Sequence, residues 1–485
     1  MKSARCAPAP FQVTTIQATL VTVLVVLMSL TSALPSQAAP ATMRVDYYHT
    51  GNDKEERFSL DRIVIEPLPW PGNPARTVDT TNLGKYFFEV ADADSGRVLY
   101  SRGFASMYGE WETTGEAKTM NRTFSESLRF PAIDKKARVT LRKRDRRNAF
   151  QDIWSLTIDP ADKFIVRDVK PAASGGLIDL HKAGPSEDKL DLLVLGDGYT
   201  AAERGKFEQD ARRLLKVFFS TSPFKEREQD INVWGLVPTA AESGISRPSG
   251  KVHRQSPLGT SYDTFDSERY ILTTENRAFR DIAANAPYEV VEIITNSSTY
   301  GGGGIFNLYA TVAADSEWAP YVFVHEFGHH IAGLADEYYT SDVAYLPAAE
   351  RIEPWEPNAT ALLDPANLKW KDLVKAGTPL PTPWPKDEYE KDTRERQARR
   401  RDIRAQNRPE SEMNALFREE LLRDTRLLNA APHGGVIGAF EGANYEARGY
   451  YRPQSDCIMF TRDEVPFCAV CRRAIETILD LYSRR

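Results

Sequence analysis

Residues 325–338 read His-Glu-Phe-Gly-His-His-Ile-Ala-Gly-Leu-Ala-Asp-Glu-Tyr. His325 and His329 are four apart, so on a helix both imidazoles project from one face, one turn above the other. Two imidazoles so placed can hold a metal ion. Glu326 beside the first can then take a proton from a water on that ion, which is the H-E-x-x-H arrangement of zinc hydrolases. Gly333 lets the chain turn off the helix, and Asp336 and Glu337 follow it. The turn can therefore bring a third, oxygen ligand back to the same ion. Zn2+ with an open fourth position for water is the chemistry these residue types specify. A helix with two solvated histidines is the plainer alternative, but the apolar run Tyr321–Val324 suits a helix buried enough to keep such a site dry.

The elements that must position this stretch follow from the hydropathy pattern. From about 40 to 168 the chain reads as all-β. Tyr86–Val90 and Arg97–Ser101 flank a turn-rich hexapeptide, and Val139, Leu141, Trp154, Leu156 and Ile158 alternate with polar residues. Pro67, Pro69, Pro71 and Pro74 cut the region into short pieces, and a small β-sandwich fits it. Lys170–Gly176 has a linker's composition, and Gly184-Pro185-Ser186 is a second break. Beyond it, from 185 to 485, the pattern is α/β. Leu190–Leu195 reads as a buried strand and Gly196-Asp197-Gly198 as a tight turn. Thr200 with Glu203 forms a capping box for a helix to about Phe219. Ile231–Val237 and Glu289–Thr295 read as strands. Gly301–Gly304 reads as a flexible loop. Leu308–Ala313 reads as a strand, either purely structural or the edge on which an extended peptide pairs. The fold class expected is α+β.

From about 347 to 429 the sequence carries a charged, partly helical insertion. Arg394, Arg396, Arg399, Arg400, Arg401 and Arg404 are interleaved with acids, which favours a solvated helical face over an anion-binding surface. Met413, Phe417, Leu421 and Leu428 share one helical face and require a packing partner.

The chain has 485 residues and a formal net charge of -6, which gives no footprint for nucleic acid. Residues 1–38 read as a signal peptide. Lys2 and Arg5 form a positive start, Leu20–Leu30 an apolar core, and Ser36-Gln37-Ala38 a cleavage site after Ala38. The expectation is a secreted or periplasmic protein without stable membrane insertion once the leader is removed. A retained anchor is the competing reading, but the apolar run is short for a bilayer span. Of four cysteines, Cys6 lies in the leader. In an oxidising compartment Cys457 is expected to form a disulfide with Cys468 or Cys471. Three sulfurs without a nearby histidine make a poor zinc site.

The segment Gly438–Met459 (Gly-Ala-Phe-Glu-Gly-Ala-Asn-Tyr-Glu-Ala-Arg-Gly-Tyr-Tyr-Arg-Pro-Gln-Ser-Asp-Cys-Ile-Met) adds a more specific signal. Together with His325–His329, Ala335–Tyr339, Leu195–Tyr199 and the β-rich start, it resembles the IgA-peptidase family of secreted bacterial zinc endopeptidases. That resemblance implies a metzincin-like fold of upper and lower subdomains, with a methionine turn beneath the metal at Ser455–Met459. The common metzincin spacing would put the glycine at Ala332 and the third ligand at Ala335. Gly333 and Asp336 each come one residue late. The resemblance favours Asp336 as third ligand, with Glu337 as the alternative. It implies hydrolysis of peptide bonds in a protein or peptide substrate, with Glu326 as general base. Tyr338, Tyr450 and Tyr451 are candidates to steady the oxyanion. Two other functions compete: a zinc amidase acting on cell-wall peptides, and an exported glycoprotein-binding protein whose zincin domain is only a scaffold. An intact Glu326 argues against the scaffold.

Overall fold

Alternating apolar residues become strands as the period-two pattern requires. The computed structural model describes Met1, Ala7, Ala9 and residues 39–169, 176–341, 343–346, 350–462 and 465–484. The rest of the expected leader and the linker positions 170–175 lie outside the described residues. The first seven strands are β1 (Ala41–Gly51), β2 (Glu56–Pro69), β3 (Tyr86–Asp92), β4 (Val98–Phe104), β5 (Arg122–Pro131), β6 (Ala137–Arg144) and β7 (Phe150–Ile158), with a short helix α1 (Met107–Trp111) after β4. They form two antiparallel sheets, ordered β2-β1-β5 and β4-β3-β6-β7. Val45, Tyr47 and Phe130 of the first sheet and Phe88, Val90, Val139 and Leu141 of the second share one buried core. This is a sandwich whose inner faces hold the apolar half of each alternation.

The α/β part contains β8 (Ile178–His181), β9 (Leu190–Asp197), α2 (Arg204–Phe218), β10 (Ile231–Leu236), α3 (Asn276–Ala283), β11 (Val290–Thr295), β12 (Gly302–Ile305), β13 (Tyr309–Ala313) and α4 (Ala319–Ala332). One sheet runs β12-β13-β11-β9-β10-β8, parallel in its four central strands and antiparallel at both edges. β9 is buried along its whole length, Asp191 and Asp197 included, as a strand in a sheet covered on both faces should be. The Thr200–Glu203 capping box opens the helical segment leading into α2. At Gly198, φ is +77° and a Cβ would lie 2.6 Å from the Gly244 carbonyl oxygen, so the tight turn needs glycine.

Two expectations about this sheet are corrected. The glycine run at 301–304 is not a loop, because Gly302–Ile305 is a strand. It occupies the sheet edge, so β13 pairs on both sides and cannot itself receive a peptide strand.

The expected insertion contains two helices, α5 (Lys386–Ala405) and α6 (Glu410–Asn429). Met413, Phe417 and Leu428 are buried, while Leu421 is partly buried against the same core. The arginines are neutralised internally: Arg396 pairs with Asp424 at 2.9 Å, Arg399 with Glu419 at 2.9 Å and Arg400 with Glu268 at 2.9 Å. The chain closes with β14 (Phe440–Ala443), β15 (Glu446–Arg452) and α7 (Ala469–Tyr482).

Ala39–Arg485 forms a single compact unit. The first sheet packs on α3, where Asn276 Nδ2 donates to Ser127 Oγ at 2.8 Å and Asp281 Oδ1 accepts from Arg44 at 2.5 Å and from Arg62 at 2.7 Å. Among the described residues, no helix is long and apolar enough to cross a membrane.

Candidate metal centre and active-site cleft

His325–Ala332 form the second half of α4, and Gly333–Tyr338 follow it. The helix ends at Gly333, whose φ of +58° reverses the chain while its N–H donates to the His329 carbonyl at 3.0 Å. A Cβ there would lie 2.5 Å from the Trp355 ring. The reversed segment is clamped by Asn358, which accepts from the Ala335 N–H at 2.7 Å and donates back to the Ala335 carbonyl at 2.9 Å.

That reversal carries Asp336 to the two histidines. Its Oδ1 lies 3.0 Å from His325 Nε2 and 3.2 Å from His329 Nε2, and the two Nε2 atoms are 3.2 Å apart. His325 Nδ1 is 2.9 Å from the Ile458 carbonyl oxygen, and His329 Nδ1 meets the Leu334 carbonyl oxygen. A carbonyl can only accept, so each Nδ1 carries the proton and, in the neutral ring, each Nε2 presents a lone pair. Two nitrogen lone pairs and a carboxylate oxygen thus converge on one point, and the cluster requires a positive charge there. A proton can serve one pair of these atoms. Burial lowers the His329 pKa, but Asp336 outweighs it and pushes the group up to about 9. A cation centred among all three atoms satisfies the whole set, and N,N,O donors suit zinc.

Glu326 projects from the same helix, with a carboxylate oxygen within 4.8 Å of the histidine donor atoms. Asp336 closes on the imidazoles more tightly, at 3.0 and 3.2 Å, so we assign it rather than Glu326 to the candidate ligand triangle. Burial pushes the Glu326 carboxyl above its ordinary range, with His325 and His329 pulling the other way. Glu337, the alternative third ligand, turns away: its Oε1 accepts from Asn358 Nδ2 at 3.0 Å and lies 3.4 Å from Cys471 Sγ.

Glu326, His329 and Asp336 open onto a cleft of about 570 Å³. Edge strand β12 forms one wall through Gly303, Gly304 and Ile305, with Tyr270, Tyr345 and Trp355 elsewhere on the lining. Lys85, Glu110 and Arg144 of the strand-rich region also line it, so that region helps to build the cleft. At Gly304 a Cβ would lie 2.3 Å from the Glu326 carbonyl oxygen and 2.9 Å from His329 Cβ. Only glycine lets β12 lie this close to α4.

The three tyrosines singled out from sequence have separate surroundings. Tyr338 accepts from Arg269 Nη2 at 2.8 Å beside the site, and Tyr450 accepts from the Ile352 N–H at 3.1 Å on the cleft wall. Tyr451 pairs through its backbone with Thr360. Two tyrosines that no motif or spacing marks also reach the site: the Tyr445 hydroxyl donates to Asp336 Oδ2 at 2.6 Å, and the Tyr321 hydroxyl lies 3.1 Å from His325 Nδ1. Met459 is fully buried, and its carbonyl accepts from the Glu337 N–H at 2.8 Å, so Ser455–Met459 joins the segment that carries Asp336 and Glu337.

The family model described as IgA Peptidase M64 matches residues 178–479, which runs from β8 almost to the end of α7. The chain belongs to the IgA peptidase M64 family. A second model, Peptidase M64 N-terminus, matches residues 36–155 and so covers most of the sandwich. No curated protein matched the chain. Membership supports peptidase chemistry, and the M64 match contains every candidate ligand, Glu326 and the aromatic cleft residues.

The disulfide expected between Cys457 and Cys468 or Cys471 is corrected. All three are free and buried, with Cys457 Sγ 3.8 Å from Cys471 Sγ, far beyond a covalent sulfur–sulfur bond of about 2.05 Å.

Proposed function

We propose that this M64 protein is an exported, zinc-dependent endopeptidase with a metzincin-like catalytic half. His325, His329 and Asp336 are the zinc ligands and Glu326 is the general base. The observation that carries this reading is the convergence of two imidazole lone pairs and one carboxylate oxygen within 3.0 to 3.2 Å of one another, beside a carboxylate that faces the cleft. A zinc ion held by His325, His329 and Asp336 would supply Lewis acidity to the scissile carbonyl and to an attacking water. Glu326 takes the water's proton and later delivers it to the leaving amine. A binding scaffold has no use for that base.

The protein's remaining groups position and exclude. β12 is an antiparallel sheet edge lining the cleft, so an extended substrate segment can pair along Gly303–Ile305. The tyrosines and Trp355 offer apolar walls to its side chains. Leader residues Lys2, Arg5 and Leu20–Leu30 support export with cleavage after Ala38.

The test is proteolysis of an unfolded protein substrate such as reduced casein. A strong chelator should abolish cleavage and added zinc should restore it. Full activity in excess chelator contradicts the reading. Export is tested separately by sequencing the mature N-terminus, expected at Ala39.

A further inference from the structure

A second set of metal-binding atoms lies behind the first. Glu337, Cys457, Cys468 and Cys471 are all buried, and one donor atom from each lies within 4.8 Å of every other. We propose that Cys457, Cys468, Cys471 and Glu337 form a structural zinc site, separate from the catalytic ligands, that pins the loop bearing Asp336 to the methionine turn and to the start of α7.

The spacing fits a tetrahedral ion. With zinc–sulfur bonds of about 2.3 Å, the edge between two sulfurs is about 3.8 Å, and between sulfur and oxygen about 3.6 Å. Cys457 Sγ and Cys471 Sγ are 3.8 Å apart. Glu337 Oε1 is 3.4 Å from Cys471 Sγ and 4.0 Å from Cys468 Sγ.

Backbone N–H groups point at two of the three sulfurs. Cys468 is the N-cap of α7, and its sulfur accepts from the Cys471 N–H at 3.5 Å, at the helix end that stabilises negative charge. Cys457 Sγ accepts from the Cys468 N–H at 3.2 Å. Glu337 Oε2 is buried without a hydrogen-bond partner, although Oε1 has Asn358. The guanidinium of Arg452, also fully buried, interacts electrostatically with Glu337 and offsets part of the excess negative charge. On binding, the three thiols each lose a proton to solvent and their sulfurs become ligands, so affinity falls as pH is lowered.

The consequence is mechanical. Glu337 follows Asp336 directly, and Cys457 precedes Ile458, whose carbonyl holds His325 Nδ1. An ion joining Glu337 to Cys457 therefore fixes two supports of the first site without touching substrate.

The test uses cobalt(II) loaded into the full-length mature protein after removal of native metal under reducing conditions. Thiolate ligation gives a near-ultraviolet sulfur-to-cobalt charge-transfer band, which the N,N,O donors of the first site cannot produce. The band should appear in the parent protein, persist in Asp336→Ala and be lost in Cys468→Ser. If Cys468→Ser does not fold, Glu337→Gln should shift the band. Cobalt uptake without a thiolate band, or a disulfide linking any two of these cysteines in the non-reduced native protein, overturns the proposal. Asp336→Ala alone can fail while the band stays, so the two sites are judged independently.

Discussion

The Tyr445 hydroxyl donates to Asp336 Oδ2 at 2.6 Å, while Oδ1 of the same carboxylate faces His325 and His329. Tyr445 follows Asn444 in the turn between β14 and β15, and the Asn444 N–H donates to the Asp336 carbonyl at 2.9 Å. One short turn therefore fixes both the backbone and the side chain of the candidate third ligand. Partners of this kind orient a ligand and tune its basicity.

Tyr445→Phe should therefore weaken zinc binding by about 10–100-fold while leaving the fold intact, the range typical of removing such a support. Competition with a zinc chelator measures it. Unchanged affinity with reduced turnover would instead make Tyr445 a group that acts on the substrate.

Asp336→Ala should strip the metal of the first site and abolish proteolysis. Glu337→Ala should keep that metal and lower activity, because Glu337 faces Asn358 and the cysteines rather than the histidines. Zinc content of the catalytic site, followed by binding of a zinc-directed hydroxamate, separates the two. The reverse pattern would make Glu337 the ligand.

How much of this was legible in sequence depended on distance along the chain. His325, Glu326 and His329 follow from helical spacing, while the glycine turn a few residues later offers Asp336 or Glu337, and only the folded geometry brings Asp336 to the imidazoles. Tyr445 is 109 residues from Asp336, and no periodicity links them. Glu337 completes the cysteine set from 131 residues before Cys468, so the sulfurs by themselves looked like a disulfide in the making. β12 is a strand where the glycines alone suggest a loop. Gly302, Gly303 and Gly304 have poor strand propensity, yet the close approach of α4 excludes any Cβ at Gly304. Tertiary packing outweighed propensity there.

Gly304→Ala should lower kcat/KM by at least about 10-fold and destabilise the protein by about 1–3 kcal/mol, because the new methyl meets the α4 backbone. Steady-state kinetics and urea unfolding test both parts. Parent-like kinetics would remove the β12–α4 contact from the account.

His49 in the sandwich is buried between Glu126 Oε2 at 3.1 Å and Glu56 Oε2 at 2.9 Å. Burial pulls its pKa down, but Glu126 and Glu56 outweigh it, so the folded-state value is raised above the ordinary 6.5. Its contribution is fully present below about pH 6.5 and is lost as pH rises through the folded-state value. His49→Gln should cost on the order of 1–3 kcal/mol at pH 5 and less at pH 9. The difference in urea midpoint between parent and variant, followed across pH, checks this. A difference that grows with pH has the wrong sign.

The most direct test of the catalytic assignment is Glu326→Gln, with zinc content and casein cleavage measured on the same preparation. The general-base role predicts parent-like zinc in the first site and a rate lower by about 10²–10⁴-fold. Cleavage at the parental rate by the zinc-loaded variant would contradict it.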